Sequence, residues 1–308
     1  MLRVWPEGLV ELGENVALFV HFDRRGRLAD HVVSYVRALR DNGFAVVFIT
    51  NSGRQDPVSL AMLQPICRAV VVRRNVGYDF GAVREVLDLL ALPRPETQRL
   101  LIANDSVYGP LVPMKDMLAR VNFDQADLWG ATESWQHRYH LQSYFLLAGR
   151  RAMTSRAWHA FWGGVRFVSS KNWVVNAYEV GLTQTLLKAG LRCQALWPYH
   201  ELLKRSEDTS THSGAQETRL DPLERARIQA QERIRRAAAH LVPLNPTADL
   251  WRQLLLGGFP FIKVELLRKN PTAVPDVADW RSVVADLTGA DVTMIERDLQ
   301  LKLRHRAP

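Results

Sequence analysis

The chain has 308 residues, of which 47% are hydrophobic, and it carries a formal net charge of +8. This length buries a sizeable core in one large or two ordinary domains, and no apolar stretch reaches the roughly 18 residues that span a bilayer. The acidic N-terminus is unlike a signal peptide, so the sequence predicts a cytoplasmic protein. In that compartment Cys67 and Cys193, which lack metal-ligand spacing, are expected to be buried thiols.

The alternation of apolar and amphipathic segments defines the first third of the chain. Short apolar runs rich in β-branched residues predict buried strands at Val16–His21, Phe44–Thr50, Ala69–Val72 and Leu100–Ala103. Helical spacing between them predicts helices at Leu28–Leu39, Val58–Ile66 and Arg84–Leu90. Strands that alternate with helices predict an α/β fold, a Rossmann-type, mostly parallel sheet with helices on both faces.

The remainder of the chain is less regular. Further elements are predicted as strands at Leu128–Thr132, Gln142–Ala148 and Leu191–Trp197, a helix at Tyr178–Ala189, and a polar loop at Ser206–Gln216. From Asp221 onward the pattern is helical and interrupted by prolines. We therefore expect a sheet domain over residues 1–205 and a mostly helical C-terminal extension over residues 206–308, packed on the sheet domain.

The positive charge suits an anionic partner, such as a nucleotide diphosphate, a lipid headgroup or a nucleic acid. A nucleic-acid interface needs a basic stripe with interleaved aromatic residues, and the sequence has none, so we expect no nucleic-acid partner. The densest basic run, Arg225 to Arg236, has helical spacing. It is either a solvated helix face or a peripheral contact with anionic lipid headgroups of the membrane.

The segment from Arg73 to Gly81 (RRNVGYDFG) follows the third predicted strand, and ligands of parallel sheets bind at such strand ends. Gly77 allows a tight turn and a close backbone approach, while Asn75 and Asp79 offer polar groups to a base or ribose. The two arginines at its start add positive charge. The pattern fits either a ligand-binding loop or an ordinary glycine turn.

The fourth predicted strand delivers Asn104, Asp105 and Ser106 to its carboxyl end. The single carboxylate of Asp105 suits a divalent cation or a ribose hydroxyl, and the alternative is an Asx-turn or helix cap.

Two further residues are candidates for acid–base chemistry. His140 opens an apolar strand, where it is either a cleft residue or a satisfied structural histidine. Glu179 lies near the start of a predicted helix, where the helix dipole alone can account for a carboxylate. The functional interpretation is a general base that takes the proton of an attacking hydroxyl group.

These segments together resemble the rhamnan synthesis protein F family. The resemblance runs from Val16 to Pro271, and its most distinctive strings are RRNVGYDFGA, NDSVYGPL, DLWGATES and HLQSYFLL. It implies a GT-A-like glycosyltransferase of rhamnose-containing surface polysaccharide or lipopolysaccharide O-chains. The implied donor is dTDP-L-rhamnose, and the implied acceptor is a glycan or a lipid-linked glycan.

The resemblance also implies roles for individual residues. The nucleotide pocket would be lined by Thr50, Asn51, Ser52, Asn75, Gly77, Tyr78 and Asp79. Asp105 would stand at the Asp-x-Asp metal motif and hold Mn²⁺ or Mg²⁺, although Asn104-Asp105-Ser106 has one carboxylate where that motif has two. Glu179 would occupy the catalytic acidic position.

Three functions remain open at this stage, in order of preference. The first is an inverting glycosyltransferase that uses a nucleotide-activated deoxyhexose. The second is a non-catalytic carbohydrate- or nucleotide-binding subunit of a polysaccharide assembly complex, which would not need both Asp105 and Glu179. The third, a nucleic-acid binder, would show binding with a steep dependence on salt.

Overall fold

The computed structural model describes residues 2–8, 10–54, 56–208 and 221–304. These residues form two compact units, each with its own hydrophobic core. The first, the sheet unit, comprises Met1–Asp105, Met114–Ala131 and His137–Leu196. The second, the helical unit, comprises Ser106–Pro113, Thr132–Gln136 and Trp197–Pro308.

The described residues contain eleven strands. In chain order they are β1 (Arg3–Trp5), β2 (Asn15–His21), β3 (Ala45–Thr50), β4 (Ala69–Val72), β5 (Arg99–Asn104), β6 (Val107–Tyr108), β7 (Leu128–Ser134), β8 (His140–Leu141), β9 (Phe145–Gly149), β10 (Cys193–Trp197) and β11 (Ile262–Lys263). Strands β6 and β11 pair with each other, and the other nine form one sheet in the order β1-β4-β3-β2-β5-β9-β7-β10, with β8 beside β7.

The centre of this sheet is parallel. Strand β2 pairs in parallel with both β3 and β5, and β3 pairs in parallel with β4. Strand β9 is antiparallel to β5 and to β7, so β7 runs in the same direction as β5. The chain builds outward from β2 through β3 to β4 and then returns to place β5 on the other side of β2. This reversal makes the β2–β5 junction a topological switch point, the position where open α/β sheets form a ligand crevice.

Helices cover both faces of the sheet. The helices and helical turns of this region are α1 (Asp30–Asp41), α2 (Pro57–Leu63), α3 (Tyr78–Leu89), α4 (Met114–Leu118), α5 (Arg150–Met153), α6 (Arg156–Gly164), α7 (Lys171–Val174), a π-helical turn (Val175–Glu179) and α8 (Val180–Lys188). Successive strand residues point to opposite faces. On one face, the ring of Phe19 of β2 therefore packs edge-to-face against Tyr35 of α1. On the other face, Leu18 shares a core cluster with Val83 and Val86 of α3.

The predicted α/β class is confirmed, and the four leading strands lie within a residue of their predicted bounds. They were predictable because each is buried on both faces and therefore reads as a continuous apolar run. The edge strand β1 was not predicted. It has three residues and pairs antiparallel with β4, so it carries no such run.

The predicted start of α3 was wrong. The helix begins at Tyr78 rather than Arg84, because Gly77 adopts the left-handed conformation (φ 80°) and ends the loop there. The residues Tyr78, Asp79 and Gly81 therefore lie in the first turn of the helix rather than in a turn before it. The sequence hides this start because glycine is a poor helix former, while Gly81 is tolerated here close to the Phe167 ring.

The region around His140 also differs from the prediction. The single strand predicted at Gln142–Ala148 is replaced by the short β8 and by β9, which starts at Phe145. Between them the backbone N–H of Ser143 donates to the Glu179 carboxylate rather than to a neighbouring strand. Glu179 itself ends the π-helical turn, and α8 starts one residue later than Glu179.

The helical unit has the predicted helices after Asp221. Its helical elements are α9 (Tyr199–Asp208), α10 (Pro222–Ala239), α11 (Pro246–Asp249), α12 (Trp251–Leu256), α13 (Val264–Lys269), a 3-10 turn (Pro275–Asp279), α14 (Trp280–Thr288) and α15 (Thr293–Arg304). Residues 206–208 of the predicted polar loop belong to α9, and residues 209–216 lie outside the described residues. No helix in the described ranges is both long and apolar enough to cross a bilayer.

Buried acidic residues cross-link the helical unit. Arg252 binds Asp276 at 2.7 Å and Asp279 at 3.3 Å, and Arg233 binds Asp249 at 2.7 Å. These three aspartates are almost fully buried, and buried charges persist only where they are paired. The arginines of the basic sequence run are therefore partly structural.

Both cysteines are free and buried, as predicted. Burial raises the pKa of Cys67 and of Cys193 to about 12 each. At pH 8 only about one thiol in ten thousand would then be the reactive thiolate.

We expect Ellman's reagent to label neither thiol of the native protein within minutes and to label both in guanidinium chloride. Rapid labelling of the native protein would contradict this burial.

Candidate functional site

The switch point brings His21, the last residue of β2, next to Asp105, the first residue after β5. The backbone N–H of Phe22 donates to Oδ2 of Asp105 at 3.1 Å, and Nε2 of His21 lies 3.8 Å from the same oxygen. His21 is buried, whereas the Asp105 side chain is 24% exposed. This carboxylate is therefore held at the strand end while it remains accessible to a ligand.

Hydroxyl groups extend this arrangement onto the end of β3. Oγ1 of Thr50 lies 3.2 Å from Nδ1 of His21 and donates to Oγ of Ser52 at 2.9 Å. Oγ of Ser52 also accepts the backbone N–H of Asp23 at 3.0 Å. The ends of β2, β3 and β5 thus share one hydrogen-bonded group, which we call the switch-point cluster: His21, Thr50, Ser52 and Asp105.

Asp23 closes the turn after β2. Partial burial raises the pKa of its carboxyl, but the backbone N–H groups of Arg27 and Arg25, the Arg27 guanidinium and His21 lower it more. The net pKa of Asp23 is below its usual value, so the group is ionised at neutral pH. Because Oδ1 of Asp23 accepts the N–H groups of Arg25 and Arg27, at 2.8 and 3.1 Å, this carboxylate mainly shapes its own turn.

Arg73 is buried beneath the loop that follows β4. Its guanidinium donates to the side-chain oxygen of Asn51 at 2.6 Å, to Oε2 of Glu85 at 2.7 Å and to the carbonyl of Val76 at 2.8 Å. Arg73 and Arg74 were expected to add positive charge at the start of this loop, but Arg73 is buried and its guanidinium binds acceptors inside the protein. Asn51, expected in the nucleotide pocket, is itself buried against Arg73.

The start of α3 supplies the next polar group. The Gly77 backbone lies so close to the Phe167 ring that a Cβ atom would come within 2.9 Å of it. Tyr78, at a strained φ of 52°, donates through its hydroxyl to the Ser169 carbonyl at 2.9 Å. This packing orients the first turn of α3 so that Asp79 accepts a hydrogen bond from the side-chain amide of Asn104 at 2.8 Å.

A small cavity of about 10 Å³ lies on the α3 side of the β5 end; its lining is mostly apolar, and Asp79, Asn104 and Ser143 are its polar residues. Ser143 also holds Glu179, because its backbone N–H and its hydroxyl donate to Oε1 at 2.8 and 3.0 Å. The backbone N–H of Asn104 bonds to the carbonyl of Tyr144 at 3.3 Å. These contacts form one polar row, which we call the pocket row: Asp79, Asn104, Ser143 and Glu179.

Glu179 occupies a π-helical turn, a rare widening of a helix that is frequent at functional sites. One helical turn later the Thr183 hydroxyl accepts the backbone N–H of Leu141 at 3.1 Å. Glu179 and Thr183 together fix the segment between β8 and β9. His140, the other acid–base candidate, is buried, and its Nδ1 lies 2.8 Å from the Arg138 carbonyl.

The predicted site residues thus fall into two groups around the end of β5. Asn104 and Asp105 are consecutive, so their side chains leave the strand end in opposite directions, one to the pocket row and one to the switch-point cluster. The Asn75 side chain is exposed in the loop before α3. The sequence marks His21 only as the start of a strand-end loop, and it gives no role to Ser143. The position of His21 at a strand end was the available signal for His21, and Ser143 had none.

Comparison with known proteins gives the family. The chain is an α/β protein with polar residues gathered at the switch point of its sheet. The family model described as rhamnan synthesis protein F matches residues 46–216, which is more than half of the chain. The chain belongs to this family.

Relatives of known sequence also match the chain. The chain is 31% identical over 247 residues to the virulence protein VirA of Vibrio anguillarum, a match that covers 78% of this chain and 74% of VirA. It is also 25% identical over 202 residues to protein y4gN of Sinorhizobium fredii, covering 64% of this chain and 52% of y4gN.

Solved structures resemble the chain only distantly. A protein described as a nucleotide-diphospho-sugar transferase from Desulfovibrio desulfuricans is 12% identical, with a TM-score of 0.35, and covers 73% of this chain and 97% of its own. The mannosyltransferase PcManGT of Pyrobaculum calidifontis, solved with GDP-Man and Mn²⁺, is 10% identical, with a TM-score of 0.35. The match covers 99% of this chain and 86% of PcManGT. Because these scores are low, the fold assignment rests on the chain's own strand order.

Replacing Arg73 tests the loop anchor. Lysine keeps the charge but cannot bond Asn51, Glu85 and Val76 at once, so Arg73→Lys should lower the free energy of unfolding by about 2–4 kcal/mol. Arg74→Lys changes the exposed neighbour in the same way and should stay within about 0.5 kcal/mol. Urea denaturation of both variants measures the difference. Equal stabilities would mean that Arg73 does not anchor the loop.

Proposed function

We propose that the protein is a glycosyltransferase that moves a deoxyhexose, L-rhamnose from dTDP-L-rhamnose, onto a growing bacterial surface polysaccharide or O-antigen, with inversion. The observation that carries the proposal is the gathering of Asp105, Asp79 and Glu179 around one strand end at the switch point. Transfer needs a place for the nucleotide diphosphate and a base for the acceptor hydroxyl, and this arrangement offers both. We place this chemistry in residues 1–205 and in the cytoplasm, where nucleotide sugars are made.

The donor nucleotide is proposed to lie across the carboxyl end of β5. On one side the hydroxyls of Thr50 and Ser52 present hydrogen-bonding groups, and on the other the carboxylate of Asp79 suits a ribose hydroxyl. Gly77 would act indirectly, because its missing side chain lets Phe167 pack against the loop that leads into α3. Asn51 would act indirectly in this arrangement, through its bond with Arg73.

A divalent cation fits this site only together with the donor. In the described ranges no group of three or more His, Cys, Asp or Glu side chains is arranged to hold a metal. Mg²⁺ is commonly bound by one or two carboxylates plus substrate phosphates rather than by a protein cage. Asp105 would therefore hold Mn²⁺ or Mg²⁺ with the donor diphosphate, and the cation would neutralise charge on the departing nucleotide.

Glu179 is proposed as the general base. Both donors from Ser143 bind Oε1, which fixes the carboxylate, and we assign Oε2 to receive the proton of the acceptor hydroxyl. Inversion follows if that hydroxyl attacks the anomeric carbon opposite the nucleotide. The acceptor would be a glycan or a lipid-linked glycan. His140 is the second acid–base candidate, and its Nδ1 contact with the Arg138 carbonyl would set its tautomer.

One observation favours a second candidate function. The stretch Asn104-Asp105-Ser106 offers a single carboxylate, and a binding subunit without turnover needs no more than that. Such a subunit would bind a nucleotide sugar or glycan within a polysaccharide assembly complex and transfer nothing. A parental protein that binds a nucleotide sugar without transferring it to any glycan would support this alternative.

Substitution of Glu179 tests the base. Glutamine keeps the shape and can still accept the two bonds from Ser143, but it cannot take up a proton. We expect Glu179→Gln to bind the nucleotide sugar as the parent does and to transfer it roughly 10²–10⁴-fold more slowly. The measurements are donor affinity by calorimetry and the rate of transfer to a rhamnose-containing acceptor. Transfer at the parental rate would pass the role to His140.

Substitution of Asp105 tests the donor site separately. Loss of its charge removes a charge-assisted contact, so Asp105→Asn should weaken donor binding roughly 10–100-fold and abolish any dependence on Mn²⁺ or Mg²⁺. The matched control is Asp116→Asn, which removes an exposed carboxylate on α4. This variant should bind the donor as the parent does. Unchanged donor affinity in Asp105→Asn would place the diphosphate elsewhere.

A further inference from the structure

The end of α10 has an unusual composition for its geometry. His240 caps the helix, Leu241 follows in the left-handed conformation (φ 53°), and the N–H groups of Leu241 and Val242 bond to the carbonyls of Ala238 and Ala237. This bonding pattern is the Schellman motif, in which glycine usually occupies the left-handed position because a side chain there is strained. Here a leucine occupies it.

Among the described residues, α3 ends in the same motif with Ala91 (φ 50°) and a buried Leu92, and three other helices end in it with glycine. The left-handed residues are Gly43, Gly190 and Gly258. Each is followed by an apolar residue whose N–H closes the motif and whose side chain is buried, namely Phe44, Leu191 and Phe259. These four helices therefore end in a glycine or an alanine followed by a buried apolar residue.

The end of α10 reverses both features. Leu241 is 90% exposed and Val242 is 54% exposed, so two adjacent apolar side chains project from the helical unit. Leucine is strained in this conformation and gains no buried contact in return. Strained residues persist where the surrounding structure holds them, and they concentrate at sites that contact ligands or partners.

Basic side chains precede this apolar pair along the chain. Arg235, Arg236 and His240 are exposed on the last turn of α10. Arg236 also lies 3.5 Å from Glu232, but a pair this exposed is weak and leaves the arginine charge available. No acidic residue occurs between Arg233 and Asp249. We name Arg235, Arg236, His240, Leu241 and Val242 the α10 tip.

The structure divides the arginines of the basic sequence run by role. Arg227 and Arg233 pair with the buried carboxylates of Asp279 and Asp249. Arg235 and Arg236 point outward beside the exposed apolar pair. Arg225 is exposed at the start of α10, next to Glu224, so two of the three remaining arginines lie at the end of the helix that carries Leu241 and Val242.

We propose that the α10 tip docks on an anionic lipid bilayer. Leu241 and Val242 would enter the boundary between headgroups and acyl chains, while Arg235 and Arg236 would meet the lipid phosphates. A protein partner would also cover an apolar pair, but two exposed arginines followed by a segment without acidic residues match a surface of uniform negative charge. Two apolar side chains and two arginines give weak, reversible attachment, which suits an enzyme that meets a membrane-borne acceptor.

The motif itself supplies the test variant. Leu241→Gly restores the residue that this geometry prefers, so the variant should unfold at a temperature no lower than the parent, and it removes the projecting side chain. The full chain would be mixed with vesicles of phosphatidylcholine alone or of equal parts phosphatidylcholine and phosphatidylglycerol, and bound protein measured by flotation. We expect the parent to bind only the mixed vesicles, with binding lost as salt is raised.

The variants should rank in a defined order. Leu241→Gly combined with Val242→Ser should weaken vesicle binding roughly tenfold or more, and each of Arg235→Gln and Arg236→Gln about fivefold. The matched control, Leu223→Ser with Arg225→Gln, removes an exposed leucine and arginine from the opposite end of α10 and should bind as the parent does. A parent that ignores anionic vesicles would overturn the proposal. So would vesicle binding that survives Leu241→Gly with Val242→Ser, or a parental dimer that this pair of changes dissociates without any vesicle binding.

Discussion

The register between β2 and β5 determines where the polar groups of the candidate site lie. Val20 pairs with Asn104, and the N–H of Asp105 then bonds to the Val20 carbonyl at 3.2 Å. This alignment places the Asp105 carboxylate beside the Phe22 N–H and His21, and the Asn104 amide beside Asp79. A shift of one residue would exchange the two faces and separate both pairs. The register is in turn fixed by the apolar side chains of both strands, which are buried on both sides of the sheet.

Buried polar contacts hold the loops at these strand ends. Arg73 would be costly to bury alone, and three acceptors compensate it, so that the loop after β4 and the loop after β3 form one rigid support. Ser143 fixes Glu179 in the same manner on the opposite side of β5. Groups held before a ligand arrives need little reorganisation when it binds, which is the basis of electrostatic preorganisation in enzymes.

The sequence was sufficient for the parts of the fold that depend on continuous burial. Strands β2 to β5 are apolar on both faces, so composition alone located them, and their order of appearance implied a parallel sheet. It was insufficient where a local contact overrides propensity. Helix α3 starts directly after Gly77, earlier than the glycines of this segment suggest. Ser143 interrupts the predicted strand because its backbone N–H binds Glu179, 36 residues away. The position of polar residues at strand ends identified Asp79 and Asp105 as candidates. It did not reveal the buried hydrogen bond between Arg73 and Asn51. Burial of charged and amide groups depends on partners that are distant in sequence.

The central claim is that a nucleotide diphosphate binds across the end of β5, between the switch-point cluster and the pocket row. A crystal structure of the protein with a nucleotide diphosphate and Mg²⁺ or Mn²⁺ tests it most directly. We predict electron density for the diphosphate next to Asp105 and for the ribose next to Asp79. A nucleotide ordered elsewhere on the protein, with no contact to either carboxylate, would show that this is not the donor site.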